Sequence, residues 1–303
     1  MRTTPLEQLL RADSDDLAAW RAYSDVLLEQ GDARGRLIEW ELRLVREVRE
    51  DRREALRTEI DRLTREHEGS WDAELPEGVQ AVARVYGFAT KVAVNGPVET
   101  PARIAEALRG RFVTALRIRP GTVAEEADAE YWSDEPDFDD DDLPLPPPPH
   151  DPGALADLDL GRIRELDLSY FRIGDPGAAA LATAASAGLI ETLDLRYCGI
   201  GDNGAVDLAC SGNFGNVRRL HFQHNRITGE GMRALARLDR LEELDLRYNH
   251  IGADGVQALI EAPFAGSLKR LLLHRQDVSE AGAQMLASAS RLPTALRSFW
   301  RSV

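Results

Sequence analysis

Apolar residues in the second half of the chain recur in one spacing: apolar-x-x-Leu-x-apolar-x-x-x-x-Ile/Val. The pattern starts at Ile163, Ile190, Val217, Leu241 and Leu268 and ends at Ile173, Ile200, Ile227, Ile251 and Val278. Its shared Leu falls at 166, 193, 220, 244 and 271, so the period is 27, 27, 24 and 27. A fixed period in this range predicts a solenoid of stacked units. Inside each copy the polarity alternates: Leu166 and Leu168 against Glu165, Asp167 and Ser169. Period-2 alternation over a few residues predicts a short half-buried strand. The next register position holds Phe171, Cys198, Asn225, Asn249 or Gln276. An Asn there is expected to satisfy backbone groups in the turn, and a Cys to pack as a small weak donor.

The closing Ile or Val leads into helix-start chemistry. Asp175, Asp202, Thr228 and Ser279 are capping types, and Pro176 suits a first helical turn. Gly177, Gly204, Gly231, Gly255 and Gly282 share one register, which predicts close approach of that turn to the neighbouring repeat. Helices are predicted over 178–185, 205–210, 232–238, 256–260 and 283–289. Strand, turn and helix in repetition give an α/β solenoid with a parallel inner sheet and outer helices, each repeat burying its neighbour's Leu face. The pattern Leu-x-x-Leu-x-Leu-x-x-(Asn/Cys)-x-Ile with a helix in 24–27 residues resembles the leucine-rich repeat in its ribonuclease-inhibitor-like form.

Upstream the period is helical. Leu6, Leu9 and Leu10 form one stripe; Asp13-Ser-Asp-Asp16 breaks and caps; Leu17, Trp20, Tyr23, Ser24, Leu27 and Leu28 form the next. Gly31-Asp-Ala-Arg-Gly35 interrupts, and Asp25, Glu29 and Asp32 near Arg34 and Arg36 are expected to make a cap-and-salt-bridge arrangement around the Gly31 turn. A third helix follows from Arg36. Residues 48–67 interleave acids and arginines around Leu56, Ile60 and Leu63, the pattern of a solvated helix, with a partner-binding coiled coil as the alternative, against which the seam breaks at Arg49-Glu-Asp-Arg-Arg53. The run Leu9-Leu-Arg-Ala-Asp-Ser-Asp-Asp16, with Ala22-Tyr-Ser-Asp-Val-Leu-Leu-Glu-Gln-Gly-Asp-Ala-Arg-Gly35 and Leu37-Ile38, resembles the bacterial repeat-companion domain. It departs from that pattern at Ser14, where Pro is usual, and at Val26, where Trp is usual. The resemblance implies a small helical domain ahead of leucine-rich repeats and no enzymatic activity. The expected organisation is therefore a helical capping domain at 1–72 and a solenoid at 78–303. The solenoid's first, degenerate strands are expected near 88–94 and 113–119, with a helix at 100–108 capped by Thr100.

Composition alters this picture at one place. Between 122 and 150 lie eleven acids and no Lys or Arg, ending in Leu143-Pro-Leu-Pro-Pro-Pro-Pro149. Without those acids the net charge of −15 falls to −4, so the folded parts are only mildly acidic. Prolines cannot donate to a ladder and the aspartates repel one another, which predicts a disordered or extended insert at 122–150. Its Tyr131, Trp132 and Phe138 are candidates for a second contact, in a basic groove of a partner or on this chain's own arginines. Nucleic-acid binding, which needs a cationic footprint, is disfavoured. Cys198 and Cys210 make no disulfide framework and are expected to pack. Only Lys91 and Lys269 are lysines among the Lys and Arg residues, a bias that with abundant Ala resembles bacterial coding. No run approaches a membrane span and the N-terminus lacks a signal-type apolar stretch, so a cytoplasmic location is expected.

Alternation also names the residues of the inner sheet face. One column is Arg117, Asp167, Asp194, His221, Asp245, Leu272. The next is Arg119, Ser169, Arg196, Gln223, Arg247, His274. A third, one step on, is Tyr170, Tyr197, His224, Tyr248, Arg275. Tyr and Arg on a rigid surface are enriched in binding hot spots, though adjacent acid and arginine columns are also expected to pair with each other. No phosphate loop, metal-ligand spacing, Gly-x-Ser-x-Gly or Cys/His pair is present. The reading is a monomeric, non-enzymatic scaffold that binds a protein partner through the concave face, without cofactor, metal or membrane. The alternatives are a regulator of an enzyme or small GTPase, and a hydrolase using the His221/His224 region.

Overall fold

A computed structural model of the protein describes residues 4–95, 101–119, 152–184 and 187–302. The insert at 122–150, with Tyr131, Trp132 and Phe138, and the Thr100 cap lie outside the described residues. Two compact units are present. One comprises residues 1–93 and 106–114, the other 94–105 and 115–303.

The first unit is built on four helices: α1 (Pro5–Ala12), α2 (Leu17–Glu29), α3 (Ala33–Arg46) and α4 (Glu50–Asp72). The starts of the first three follow from side-chain acceptors placed where backbone donors lack partners. Thr4 and Glu7 form a reciprocal capping box on α1, and Asp16 and Asp32 cap α2 and α3. Gly35 lets α3 cross α2 closely: a Cβ there would stand 2.8 Å from the Ser24 carbonyl oxygen, and Ser24 Oγ donates to the Gly35 carbonyl at 2.7 Å. Strands β1 (Val79–Val85) and β2 (Phe88–Asn95) flank Tyr86 and Gly87, both at positive φ, the two-residue turn of an antiparallel hairpin. Trp20, Tyr23, Phe88 and Phe112 make an aromatic core whose neighbouring rings lie 5.0–6.2 Å apart. A polar group inside it is satisfied: Tyr23 donates its hydroxyl to Glu7 at 2.7 Å, and burial with that bond pushes the phenol up to about 12. Arg34, also buried, pairs with Asp32 and Glu74 and lies over the Phe88 ring at 4.6 Å.

The helix α5 (Pro101–Ala107) precedes β3 (Ala115–Arg119), and the regular repeats then follow. Their strands are β4 (Glu165–Asp167), β5 (Thr192–Asp194), β6 (Arg219–His221), β7 (Glu243–Asp245) and β8 (Arg270–Leu272). Their outer helices are α6 (Gly174–Thr183), α7 (Asp202–Cys210), α8 (Gly229–Leu235), α9 (Gly252–Glu261) and α10 (Arg275–Ser288), and α11 (Thr294–Ser302) closes the chain. Strands β3 to β8 pair in parallel and in sequence order. The register sets Leu116, Leu166, Leu193, Leu220, Leu244 and Leu271 opposite one another, all buried. Columns of Leu168, Leu195, Phe222, Leu246 and Leu273, and of Ile173, Ile200, Ile227, Ile251 and Val278, are likewise buried. This is a leucine-rich repeat solenoid, as the spacing predicts.

Polar ladders run beside the apolar ones. Asn225 accepts from the Ile200 amide at 2.9 Å and donates to the carbonyls of Leu195 and Phe222. Asn249 repeats this with the Ile227 amide and the Phe222 and Leu246 carbonyls, and the Cys198 thiol donates to the Leu168 carbonyl. Two expectations need correction. Asp175 and Asp202 do not cap their own helices; each accepts backbone N–H groups of the following repeat. Asp175 takes Gly201 and Gly204, and Asp202 takes Thr228 and Gly231. Both sit inside the first turn of their own helix, where the carboxylate points sideways to the neighbour's unpaired amides. Cys210 is exposed rather than packed, and its sulfur accepts from Arg237 at 3.0 Å. The glycine column does mark close approach: a Cβ on Gly204 would lie 2.7 Å from Asp175 Oδ1 and 2.9 Å from the Ala178 Cβ.

Replacing Asn225 by Ala should cost about 2–5 kcal/mol, because it orphans at least one buried amide and one carbonyl. Gly204→Ala should cost about 1–3 kcal/mol through overpacking. Urea unfolding of both variants checks this; losses below about 1 kcal/mol for Asn225→Ala would show that the ladder is dispensable.

Candidate functional site

The sheet face of the repeats is assembled by register. Arg117, Asp167, Asp194, His221, Asp245 and Leu272 lie directly opposite one another across β3 to β8. Two residues on, each chain segment presents Arg119, Ser169, Arg196, Gln223, Arg247 or His274, so side chains i and i+2 share the face. Aspartate and arginine of one strand therefore meet. Arg196 donates Nε and Nη2 to both oxygens of Asp194 at 2.7–3.0 Å, and Arg247 treats Asp245 the same way at 2.7–2.9 Å. The aspartates lie beneath: the Asp194 and Asp245 side chains are 9% and 5% exposed, against 36% and 33% for their arginines. Arg117 lies 3.4 Å from Asp167, which also accepts from the Ser169 amide and hydroxyl. Gln223 accepts from Arg247 Nη2 at 3.3 Å, and Arg119 ends β3 half-buried.

Burial alone would raise the Asp194 carboxyl, but His221 and Arg196 outweigh it and hold the group at about 2. His221 in turn is raised above 6.5, first by Asp194 (Nδ1 to Oδ2, 3.7 Å), against burial, with Glu243 (Nε2 to Oε1, 3.4 Å) adding to it. His224 behaves oppositely. Burial, with His274 and Arg247 nearby, brings it down to about 4.

The third column is the most unusual feature of the face. Tyr170, Tyr197, His224 and Tyr248 all have left-handed backbone, with φ of 65°, 57°, 51° and 59°. Such a conformation costs a bulky residue on the order of 1–3 kcal/mol, and Gly or Asn adopts it more cheaply. The amides of Tyr170, Tyr197 and His224 are each pinned to a carbonyl of the next repeat, those of Arg196, Gln223 and Arg247, at 2.8–3.0 Å. Their rings stack with centroids 4.5, 4.2 and 4.0 Å apart and planes within 23° of parallel. That spacing lies close to the distance between neighbouring strands. Burial, with Tyr170 and Tyr248 alongside, raises the Tyr197 phenol to about 12.

Arg275 does not continue this column. The fifth ring is His274, 4.6 Å from Tyr248 and tilted by 60°. In this last repeat Asp277 accepts the His274 amide and the chain enters α10 at once; the left-handed residue is Ser279 and Arg275 pairs with Glu280. The two histidines proposed as one site take different surroundings, His221 among carboxylates and His224 inside the ring stack. Among the described residues no group of His, Cys, Asp and Glu could hold a metal ion, and no helix is long and apolar enough to cross a membrane. A further face column is missing from the sequence reading: Glu165, Thr192, Arg219, Glu243 and Arg270, opposite one another in the register. Arg219 donates to Thr192 at 2.9 Å and Arg270 to Glu243 at 3.0 Å. The same alternation, taken one step back from Asp167, points to it.

The family model described as Leucine Rich repeat matches residues 163–182, 189–209, 216–236 and 241–259. Those are four of the five copies of the spacing, and less than half of the chain. No curated protein matches the chain.

The two opposed shifts give a measurable signature. In an NMR titration the His221 imidazole should titrate above 6.5 and His224 near 4. The stability contributed by His221 is then present below about 6.5 and lost as pH rises through its folded value. That of neutral His224 is lost as pH falls from 6.5 through 4. Asp194→Asn should return His221 towards 6.5 and leave His224 unmoved; a common shift of both rings would contradict the separation.

Proposed function

We propose that this protein is a non-enzymatic scaffold that binds a protein partner on the concave face of its repeats, in the cytoplasm. On its resemblance to repeat-companion domains, the helical first unit belongs to the same reading. The observation that carries the proposal is the run of four ring-bearing residues held in left-handed backbone in successive repeats. The turn itself is served as well by Gly or Asn, so the strain is not a requirement of the fold. What the rings add is a rigid aromatic strip beside arginines already fixed by their aspartates. Tyrosine and arginine recur at the energetic centres of interfaces, and side chains immobilised before binding lose less entropy on association.

Repeats of this kind commonly serve protein–protein interaction. The partner-binding residues proposed are Arg117, Arg119, Asp167, Tyr170, Asp194, Arg196, Tyr197, His221, Gln223, His224, Asp245, Arg247, Tyr248 and His274. Arg275 stands at the end of the strip, and Tyr131, Trp132 and Phe138 form a possible second contact.

Affinity purification from the native host tests the reading. Tyr197→Ala combined with Tyr248→Ala should lower recovery of specifically co-purifying protein by roughly tenfold or more. Arg233→Glu, on the exposed side of α8, should leave recovery unchanged, with thermal unfolding confirming that each variant is folded. Undiminished recovery with the double variant removes the concave face from the proposal.

A further inference from the structure

We propose that the segment seated on this face is an acidic peptide, read by the arginines and the aromatic strip at the C-terminal side of the strands. The inference rests on the concave face being the binding surface, and adds the chemical class of what it binds.

The face is divided by charge. Among the described residues its carboxylates stand only at strand positions of the Glu165 and Asp167 columns. Beyond them, from Ser169 across to His274 and from Tyr170 across to Arg275, ten positions hold no Asp or Glu, in a chain with 52 acids against 37 Lys and Arg. The three aspartates lie buried under this strip and act inward, each aligning a donor. Arg196 and Arg247 use Nε and Nη2 on their aspartates. The Nη1 group of each has no hydrogen-bond partner among the described residues, so one donor edge per guanidinium is left unmatched. Stacking turns the ring faces towards one another and leaves their edges outward, and the edge is the positive part of an aromatic quadrupole. Guanidinium edges and ring edges together ask for an acceptor-rich, anionic occupant. Arg196 and Arg247 stand two strands apart, about 9–10 Å at ordinary strand spacing. An extended polyproline-type chain places every third side chain on one side at about 9.3 Å, so carboxylates three residues apart reach both.

Fluorescence anisotropy on the full-length protein tests this with labelled twelve-residue peptides of repeated Glu-Pro-Ala, Gln-Pro-Ala and Lys-Pro-Ala. The Glu peptide should bind best, at least about tenfold tighter than the Gln peptide, with affinity falling as salt rises. The eleven acids of 122–150 are of the same chemical class as the Glu peptide, so the same measurement is made on a chain with those acids changed to Asn and Gln. Binding by either form counts for the proposal only if it weakens about tenfold or more in the paired variant Asp194→Asn, Arg196→Gln, which removes both charges together and leaves no buried carboxylate unpaired. A second variant, Tyr197→Ala with Tyr248→Ala, removes two rings of the stack and should weaken binding several-fold. Three results overturn the inference: no Glu-peptide binding by either form at low salt, binding indifferent to the variants, or preference for the Lys peptide. In the last case, if the Lys peptide is lost in the same variants, the concave-face reading stands and only the acidic class is wrong.

Discussion

A repeat of this solenoid is incomplete by itself: its Leu face and its turn amides are satisfied by the next repeat, and amides of its first helical turn by the one before. Asp202 holds two amides of the repeat after it, and Asn225 and Asn249 tie the turn before them to the sheet. Such groups left unmatched in a dry interior cost about 1–3 kcal/mol each, so one misplaced repeat would forfeit several of these terms together with its apolar burial. Stability of this kind is a sum of neighbour interfaces. It also explains how the short repeat is accommodated. The spacing from Leu220 to Leu244 is 24 residues, not 27, and the loss is taken by the outer layer, where α8 has seven residues against nine or ten in α6, α7 and α9. The inner register of β6 on β7 is untouched.

The same turn that needs the Asn also creates the aromatic strip. To bring Asn249 beneath the previous repeat, the residue before it must take left-handed backbone, and that residue is Tyr248. The chain has accepted strain at four such places, and stacking offsets part of it, at about 0.5–1.5 kcal/mol for a well-placed aromatic pair. The sheet sets the ring spacing, since one ring per strand at parallel register can do nothing but stack. A structural ladder and a recognition surface are thus adjacent consequences of one turn geometry.

Much of this was legible in the spacing of Leu, Asn and Gly, because a solenoid writes its register directly into the sequence. Leu166 to Leu271 predicted the sheet, and Gly204 and its counterparts predicted close helix approach. The misses share a cause. Asp175 and Asp202 look like caps by residue type, but which amide a carboxylate takes depends on the neighbouring repeat's position, and residue type does not carry that. Arg275 was placed by counting a period that lapses in the final copy, where Asp277 starts a helix early. In the first unit the helices are readable from their stripes, whereas the bond from Tyr23 to Glu7 and the pairing of Arg34 with Glu74 join residues whose separations follow no period.

Acids and arginines side by side on a face are usually taken as a reason to discount it, since the charges cancel. On this face the pairs have a direction that argues otherwise. The carboxylate is the buried partner and the guanidinium the exposed one, and each pair closes within one strand at i and i+2 rather than between flexible neighbours. Asp194 is held ionised down to about pH 2, so above that value Arg196 keeps a charged partner beneath it. A clamped guanidinium has given up most of its rotamer freedom already, which is the larger part of what a surface arginine loses on meeting a partner. Self-pairing and recognition are therefore not competing accounts of Arg196 and Arg247; the first is what makes the second inexpensive in entropy.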